Sequence, residues 1–420
     1  MRPDPPVDPI ELDPHAPEFL ERRLDRYAEL RAECPVVWNT AHGGFWLVTG
    51  YDEVLTVARD NDTFMHQYRP GAPDGVDYEG IIGYPRHPDV PAQGVSEVDG
   101  PDHQDLRRAL NPVFSPAAVE ASRPEMVAVA TWFLDQIVAS GSGDLVLDFA
   151  SPVPAVLTLR MMGLPVDNWR YYAEFFHATA AHPQTSPEFM AVMEHAPAMT
   201  GELFAHAQHR RAHPGDDLTS LLVRLERASG PLSDEEMTGV MWNLVAGGVD
   251  TTTSLVASAL HHLGTHPGDR QRLVDDPARL PRAIDEFLRY FTPNESLTRT
   301  SSRDVDLGGC PVRKGDRLWI SWIAANRDPA AFDRPDDVVL DRDPNPHLAF
   351  GLGGHRCIGM HLARVEAEVM LGEVLRRIPD YEIDPDGFAP YSPNMMMNGV
   401  LRMPATFTPG PRTGPAARPF

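Results

Sequence analysis

The 420-residue chain has little cysteine: Cys34, Cys310 and Cys357 stand far apart in it. Three scattered thiols exclude a disulfide framework and a zinc site, and a reduced, cytoplasmic setting is expected. No apolar run is long enough to span a bilayer. Residues Met1 to Pro17 are proline-rich and acidic, where a secretory signal would be basic and then apolar, so no membrane anchor is expected. Positive charge is also scarce. With 37 Lys and Arg against 60 Asp and Glu, the net charge of −23 argues against nucleic acid and against anionic membrane surfaces as partners. What the chain does have is 42% apolar residues with 42 prolines and 32 glycines, the composition of a globular protein rich in turns. Its length fits two or three domains or one large core.

The most informative stretch is Phe350-Gly351-Leu352-Gly353-Gly354-His355-Arg356-Cys357-Ile358-Gly359. Its glycines permit a tight loop that brings main-chain N–H groups close to the sulfur. Helix-favouring residues follow from Met360 to Leu375, and a thiolate just before a helix gains from the positive end of its dipole. Taken alone, the stretch also fits a tight loop around a buried structural thiol.

Read in order, residues 1–18 and the tail 408–420 are expected to be extended or disordered. Phe19 to Ala32 has helical spacing, and Gly44 to Thr49 reads as a strand. Asp60 to Asp99 lacks steady periodicity and carries Met65, His66, Tyr68, Tyr78, Ile81, Ile82 and Tyr84, as a binding loop or lid would. In Asp99-Gly-Pro-Asp-His103-Gln-Asp-Leu-Arg107-Arg108, His103 and Arg107 share a helix face, which by spacing alone suits a solvated basic patch. Met126 to Arg227 is mostly helical, with breaks at Ala150-Ser-Pro-Val-Pro and at His182 to Pro187; Phe175, Phe176, Phe189, Met190 and Met193 flank the second. Leu232-Ser233-Asp-Glu-Glu236 has the form of a capping box and predicts a long helix, with Gly247-Gly248 in its middle. Each glycine costs about 1 kcal/mol relative to alanine there, so something needs the room: a ligand against the backbone, or close packing of another helix. Glu286 and Arg289 stand three apart on a further helix, a spacing that means little by itself.

The full pattern Phe-Gly-x-Gly-x-His-x-Cys-x-Gly, with Leu362-Ala363-Arg364 after it, resembles the haem-thiolate loop of the cytochromes P450. Three further segments agree in order: Asp-x-Pro-x-His103-x-x-x-Arg107, Gly247-Gly248-Val249-Asp250-Thr251, and Glu286-x-x-Arg289 with Phe332 to Arg342. The resemblance covers roughly residues 19–407. It implies a single-domain, mainly α fold with small β-sheets, holding haem b between a long central helix and the cysteine loop. On that resemblance Cys357 is the iron ligand, Phe350 packs beside the sulfur, and Gly351 and Gly359 shape the loop. His103, Arg107, Arg299 and His355 reach the haem propionates, and Glu286, Arg289 and Arg342 form a buried ion network. Thr251 holds the distal oxygen, and Asp250 relays protons from solvent to it.

The resemblance further implies a monooxygenase that hydroxylates or epoxidises a mostly hydrophobic small molecule, in the manner of secondary-metabolite tailoring. Oxidative cyclisation, coupling or desaturation by the same centre is the alternative, and a non-catalytic haem sensor a remote one. Electrons are expected from a ferredoxin and an NAD(P)H-dependent ferredoxin reductase, since no such domain is fused to residues 19–407. Arg107, Arg108, Arg356, His361 and Arg364 offer a positive docking face. Matching the motifs places Asn243, Ala246, Gly247, Asn294, Glu295, Leu297, Met395, Met396 and Met397 at the substrate pocket. Asn243, Asn294 and Glu295 would then recognise a polar handle; Asn243 could equally satisfy backbone or face another helix.

Overall fold

The computed structural model describes residues 8–82, 86, 90–394 and 396–420; Tyr84, Met395 and the first seven residues of the N-terminal segment lie outside them. Helices dominate, and the longest, Asp234–Thr265, runs 32 residues. Its start is fixed chemically. The Ser233 hydroxyl accepts from the Glu236 amide at 3.2 Å, the Glu236 carboxylate accepts from the Ser233 amide at 2.8 Å, and three acidic residues fill the first turn. At about 1.5 Å per residue such a helix crosses the whole molecule. Helices Pro152–Met162, Trp169–Ala181, Ala196–Ala212, Leu280–Phe291 and Met360–Arg377 all pack on it. Val249, Val256 and Leu260 enter one apolar core with Leu159, Phe287 and Met370.

The largest sheet has five strands, in the order Val36–Asn39, Phe45–Val48, Arg317–Ser321, Ser296–Ser301 and Phe64–Met65. Leu318 pairs with Arg299 across its middle. Because side chains alternate along a strand, Leu297 and Arg299 share one face, and both line the central cavity.

The region 126–227 is more finely divided than its periodicity suggests. Residues 146–150 form a wide helical turn that leads straight into Pro152–Met162, so the prolines at 152 and 154 begin a helix where a break was expected. The tail 408–420, expected to be extended or disordered, is extended and held. The amides of Thr413 and Gly414 donate to Asp135, Arg377 donates to the Pro411 carbonyl, and the Phe420 ring stacks on Phe133. Near the other end, the Ile10 amide donates to the Trp38 carbonyl and a helix begins at Pro17. Two of the scattered cysteines also meet, since the Cys34 and Cys310 thiols both donate to the Val36 carbonyl at 3.1 Å.

The two glycines of the central helix turn out to serve different ends. A Cβ on Gly248 would lie 2.6 Å from the Thr158 hydroxyl, so this residue is small because helix Pro152–Met162 packs against it. A Cβ on Gly247 would meet nothing, because that position opens on the cavity. Replacing Gly248 with alanine should therefore cost about 1–3 kcal/mol in chemical denaturation. Gly247→Ala should instead leave stability unchanged or raise it by up to about 1 kcal/mol through helix propensity.

Candidate active site

A cavity of about 450 Å3 separates the central helix from the cysteine loop. On one side are Ala246, Gly247, Asp250 and Thr251; on the other are Phe350, Gly351, Cys357 and Gly359. The loop closes on itself through the Cys357 amide, which donates to the Phe350 carbonyl at 2.8 Å. Gly353, at φ 71°, lies so near the Ala58 carbonyl that a Cβ would stand 2.6 Å from it. The Arg364 guanidinium sits 4.6 Å from the centre of the Phe350 ring. The Cys357 side chain is exposed, and the surface it faces is the cavity. Because that cavity lies within the protein, the walls around the sulfur desolvate it and raise its thiol pKa, opposed by the Gly359 amide and the charges of Arg107, Arg364 and Arg356. A thiol in this balance becomes a thiolate when a cation takes it as a ligand.

One edge of the cavity carries a knot of donors. The imidazoles of His66, His355 and His103 form a stack with centroid spacings of 3.6 and 3.8 Å. His355 Nε2 is 2.8 Å from Asp99 Oδ1, while Asp99 Oδ2 accepts the amides of His66 and Gln67. Arg107 donates to the Arg356 carbonyl and Arg299 to the carbonyl of Thr298. Among the described residues, His66 Nδ1, His103 Nε2 and Arg299 Nε are buried here without a partner. Burial pushes His103 down to about 4 and Arg299 down to about 9. A buried cluster short of acceptors is what a pair of carboxylates would satisfy. The thiol, the apolar cavity and this edge together fit a flat, dianionic, metal-bearing group. His66 carries no sequence signal for this place, because it lies in the irregular stretch where no spacing marks it.

Of the expected relay, Thr251 points its hydroxyl at the Gly247 carbonyl, 2.7 Å away, within an unbroken helix. Asp250 does not open to solvent as expected. It is 3% exposed, and its two oxygens are taken by His177 Nδ1 at 2.8 Å and the Tyr391 hydroxyl at 2.7 Å. Neither partner had a sequence signal, since they come from a different helix and from the C-terminal segment. Glu366 is a further group that the sequence did not mark. It is buried, lines the cavity and takes the Thr252 hydroxyl, and burial pushes it up to about 8.

Glu286, Arg289 and Arg342 come together. Arg289 donates twice to Glu286 at 2.8 Å, Arg342 once at 3.0 Å, and the Val339 amide and Asn345 complete the carboxylate.

The pocket residues divide. Ala246, Gly247, Asn294, Leu297, Met396 and Met397 line the cavity. Asn243 lines it too, but its oxygen accepts both the amide and the hydroxyl of Ser96, which fastens the 65–98 stretch to the central helix. Glu295 is not a pocket residue. It points to the other side of the chain from Asn294, where Arg23 Nη2 reaches it at 2.6 Å. Around the loop, Arg108 and Arg356 are exposed, with Arg108 bonded to Asp105, whereas Arg107 and Arg364 are partly covered and His361 is half-buried.

Glu286→Ala would strand Arg289, which has no exposure, and should cost about 3–5 kcal/mol in chemical denaturation together with most of the bound haem. Glu366 gives a pH test. Its folded value of about 8 stands above the ordinary 4.5, so its contribution is full below about pH 4.5 and lost as pH rises through about 8. The melting temperature of Glu366→Gln should therefore gain on that of the parent between about pH 5 and about pH 8.

The comparisons with known proteins agree with this geometry. The sequence model described as "Cytochrome P450" matches residues 203–407. The 6-deoxyerythronolide B hydroxylase of Saccharopolyspora erythraea is 32% identical over 386 residues, covering 90% of this chain and 94% of that one. The mycinamicin IV hydroxylase/epoxidase of Micromonospora griseorubida is 33% identical over 392 residues, covering 91% and 95%. A Mycobacterium marinum cytochrome P450 solved with pseudoionone superposes with a TM-score of 0.86 at 28% identity, covering 96% and 100%. With Cys357 at the cavity floor and this likeness along nearly its whole length, the chain belongs to the cytochrome P450 family of haem-thiolate monooxygenases.

Proposed function

We propose that this enzyme hydroxylates or epoxidises a mostly apolar small molecule that carries hydrogen-bond donors, in secondary-metabolite biosynthesis. The carrying observation is a pair of carboxamides. Asn294 and Gln184 both line the cavity, and Asn294 Oδ1 and Gln184 Oε1 are buried without partners among the described residues. They flank the C-terminal turn, where Gln184 donates to the Met396 sulfur and Asn294 pairs with Met397. An unpaired buried acceptor costs about 1–3 kcal/mol, which a substrate hydroxyl, amine or amide N–H would recover. Phe175, Phe176, Leu244, Leu297 and the methionines supply the apolar remainder. Two of the relatives named above are named for hydroxylation of 6-deoxyerythronolide B and for hydroxylation or epoxidation of mycinamicin IV, which supports oxygen insertion into a small organic substrate.

The cofactor is haem b, as the sequence has no Cys-x-x-Cys-His run for covalent attachment. When bound it supplies the activation of dioxygen with two electrons. Cys357 would hold its metal, and His66, His103, Arg107, Arg299 and His355 would meet its carboxylates. Thr251, whose hydroxyl meets the Gly247 carbonyl, and Asp250 beside it would move protons to the open backbone there. The electron donors are a ferredoxin and its NAD(P)H-dependent reductase, met at the face around Arg108 and Arg356. Among the described residues no helix is long and apolar enough to cross a membrane, and the proposed setting is the cytoplasm.

The ferric absorption spectrum of the holoprotein, titrated with macrolactones, cyclic dipeptides, terpenoids and fatty acids, should shift with donor-bearing members of the panel. Asn294→Leu and Gln184→Leu should each weaken that binding about tenfold while leaving binding of a plain hydrocarbon analogue unchanged. With a surrogate ferredoxin pair and isotope-labelled dioxygen, the product should gain one labelled oxygen. A product without it would establish coupling or desaturation in place of insertion.

A further inference from the structure

Two of the three thiols, far apart in sequence, share one acceptor. Cys34 caps the end of helix Arg23–Glu33, where its amide donates to the Leu30 carbonyl at 2.7 Å. Cys310 opens strand Cys310–Val312, which pairs back on Val305–Leu307 through Gly308 and Gly309, both at positive φ. Both residues are thus placed by regular elements. Their sulfurs meet at the Val36 carbonyl, to which each donates at 3.1 Å, so they lie no further apart than twice that distance. Side chains aimed at one atom converge, as a disulfide requires. Neither residue lines the cavity.

The two thiols differ in access. Cys34 is half-buried, whereas Cys310 has no exposure. Burial first, then the neighbouring Cys34, and then Asp306 and Glu53 push the Cys310 thiol up to about 12, which keeps it protonated. Among the described residues no third ligand joins the two sulfurs in a metal site. What remains to such a pair is chemistry between the sulfurs themselves.

We propose that Cys34 and Cys310 are a two-electron oxidation site, which hydrogen peroxide closes into a disulfide beside the edge strand Val36–Asn39 of the five-stranded sheet. Peroxide reaches the half-buried Cys34 first. The Cys34 sulfur attacks one peroxide oxygen, the O–O bond breaks, and the products are a sulfenic acid and one water. The Cys310 sulfur then attacks that of Cys34, the S–O bond breaks, and the hydroxyl leaves with the Cys310 proton as a second water. Two thiols and one peroxide thus give one disulfide and two waters; the sulfurs are oxidised and both peroxide oxygens reduced. The protein loses two weak S–H bonds to Val36 and gains a covalent link between the end of helix Arg23–Glu33 and the hairpin 305–312. Bridging residues so distant in sequence restricts the unfolded chain, so the oxidised form unfolds at a higher temperature. In a reducing setting the pair rests as thiols, and thiol reductants reopen it.

The experiment uses the holoprotein with 4-phenylimidazole bound, so that the metal is blocked to peroxide and Cys34 and Cys310 are the free thiols. After treatment with hydrogen peroxide and alkylation of the remaining thiols, peptide mass spectrometry should find the Cys34 and Cys310 peptides joined, lighter by two hydrogens than the separate pair. Dithiothreitol should part them. The melting temperature should rise on closure and fall back on reduction. Serine at either position keeps a donor for the Val36 carbonyl, so both variants should fold. In Cys310→Ser, dimedone should trap the Cys34 sulfenic acid, and in Cys34→Ser the Cys310 thiol should stay unoxidised. Cys34 carried on to sulfinic acid in the parent, or joined to Cys34 of a second chain, would overturn the pairing, and so would peroxide that leaves both thiols free. Oxidation of Cys310 in Cys34→Ser would overturn the order of attack.

Discussion

The cysteine loop hangs from a buried pair of charges. Between residues 326 and 349 the chain has no regular secondary structure, so its main-chain groups need partners from elsewhere. Arg289 supplies them, donating to the carbonyls of Asn326, Pro335 and Asp337 while Glu286 neutralises it. Glu286 in turn receives the Val339 amide and Arg342. Asn326, pinned in this way, accepts the Leu348 amide two residues before Phe350. The position of a metal-binding sulfur is thus set by an ion pair some seventy residues earlier in sequence. An apolar pair could fill the same space, but it could not gather three carbonyls.

The cavity is shaped by the same economy of contacts. The central helix supplies its upper wall and one glycine of access, and the strand that carries Leu297 and Arg299 supplies a side. The irregular stretch before helix Gly100–Leu110 is held down by Asp99, whose carboxylate bridges His355 and two amides. Asp99 and Glu286 play similar parts, each organising irregular backbone through one buried carboxylate.

The main elements were legible in the sequence from local chemistry together with the order in which the motifs follow one another. The capping box at Ser233 is a short-range signal that stands by itself, whereas the glycine loop at Cys357 and the spacing of Glu286 and Arg289 gain their meaning from their ordered agreement with the family pattern. What could not be read depends on the third dimension. Glu295 and Asn294 are neighbours that face opposite ways, and only Arg23, near the other end of the chain, decides which one is withdrawn from the pocket. Asp250 was legible as an acid beside Thr251, but His177 and Tyr391 reach it across more than seventy residues each. Gly248 and Gly247 look alike in sequence and differ only because Thr158 lies beside one of them. The tail reads as extended or disordered from its composition, and the contacts with Asp135 and Phe133 that hold its extended path lie too far away in sequence to be read there.

The bond between Asn243 and Ser96 has an evolutionary consequence. Position 243 faces the cavity, where selection for a new substrate would act, yet its carboxamide is already spoken for by the loop that closes the pocket. A change there alters both the chemistry offered to the substrate and the anchorage of residues around 96. The two positions therefore form one inherited unit, and divergence at 243 will tend to be accompanied by compensation at 96. Drift in specificity should run more freely through Leu297 and Met397, whose apolar side chains make no such hydrogen bond.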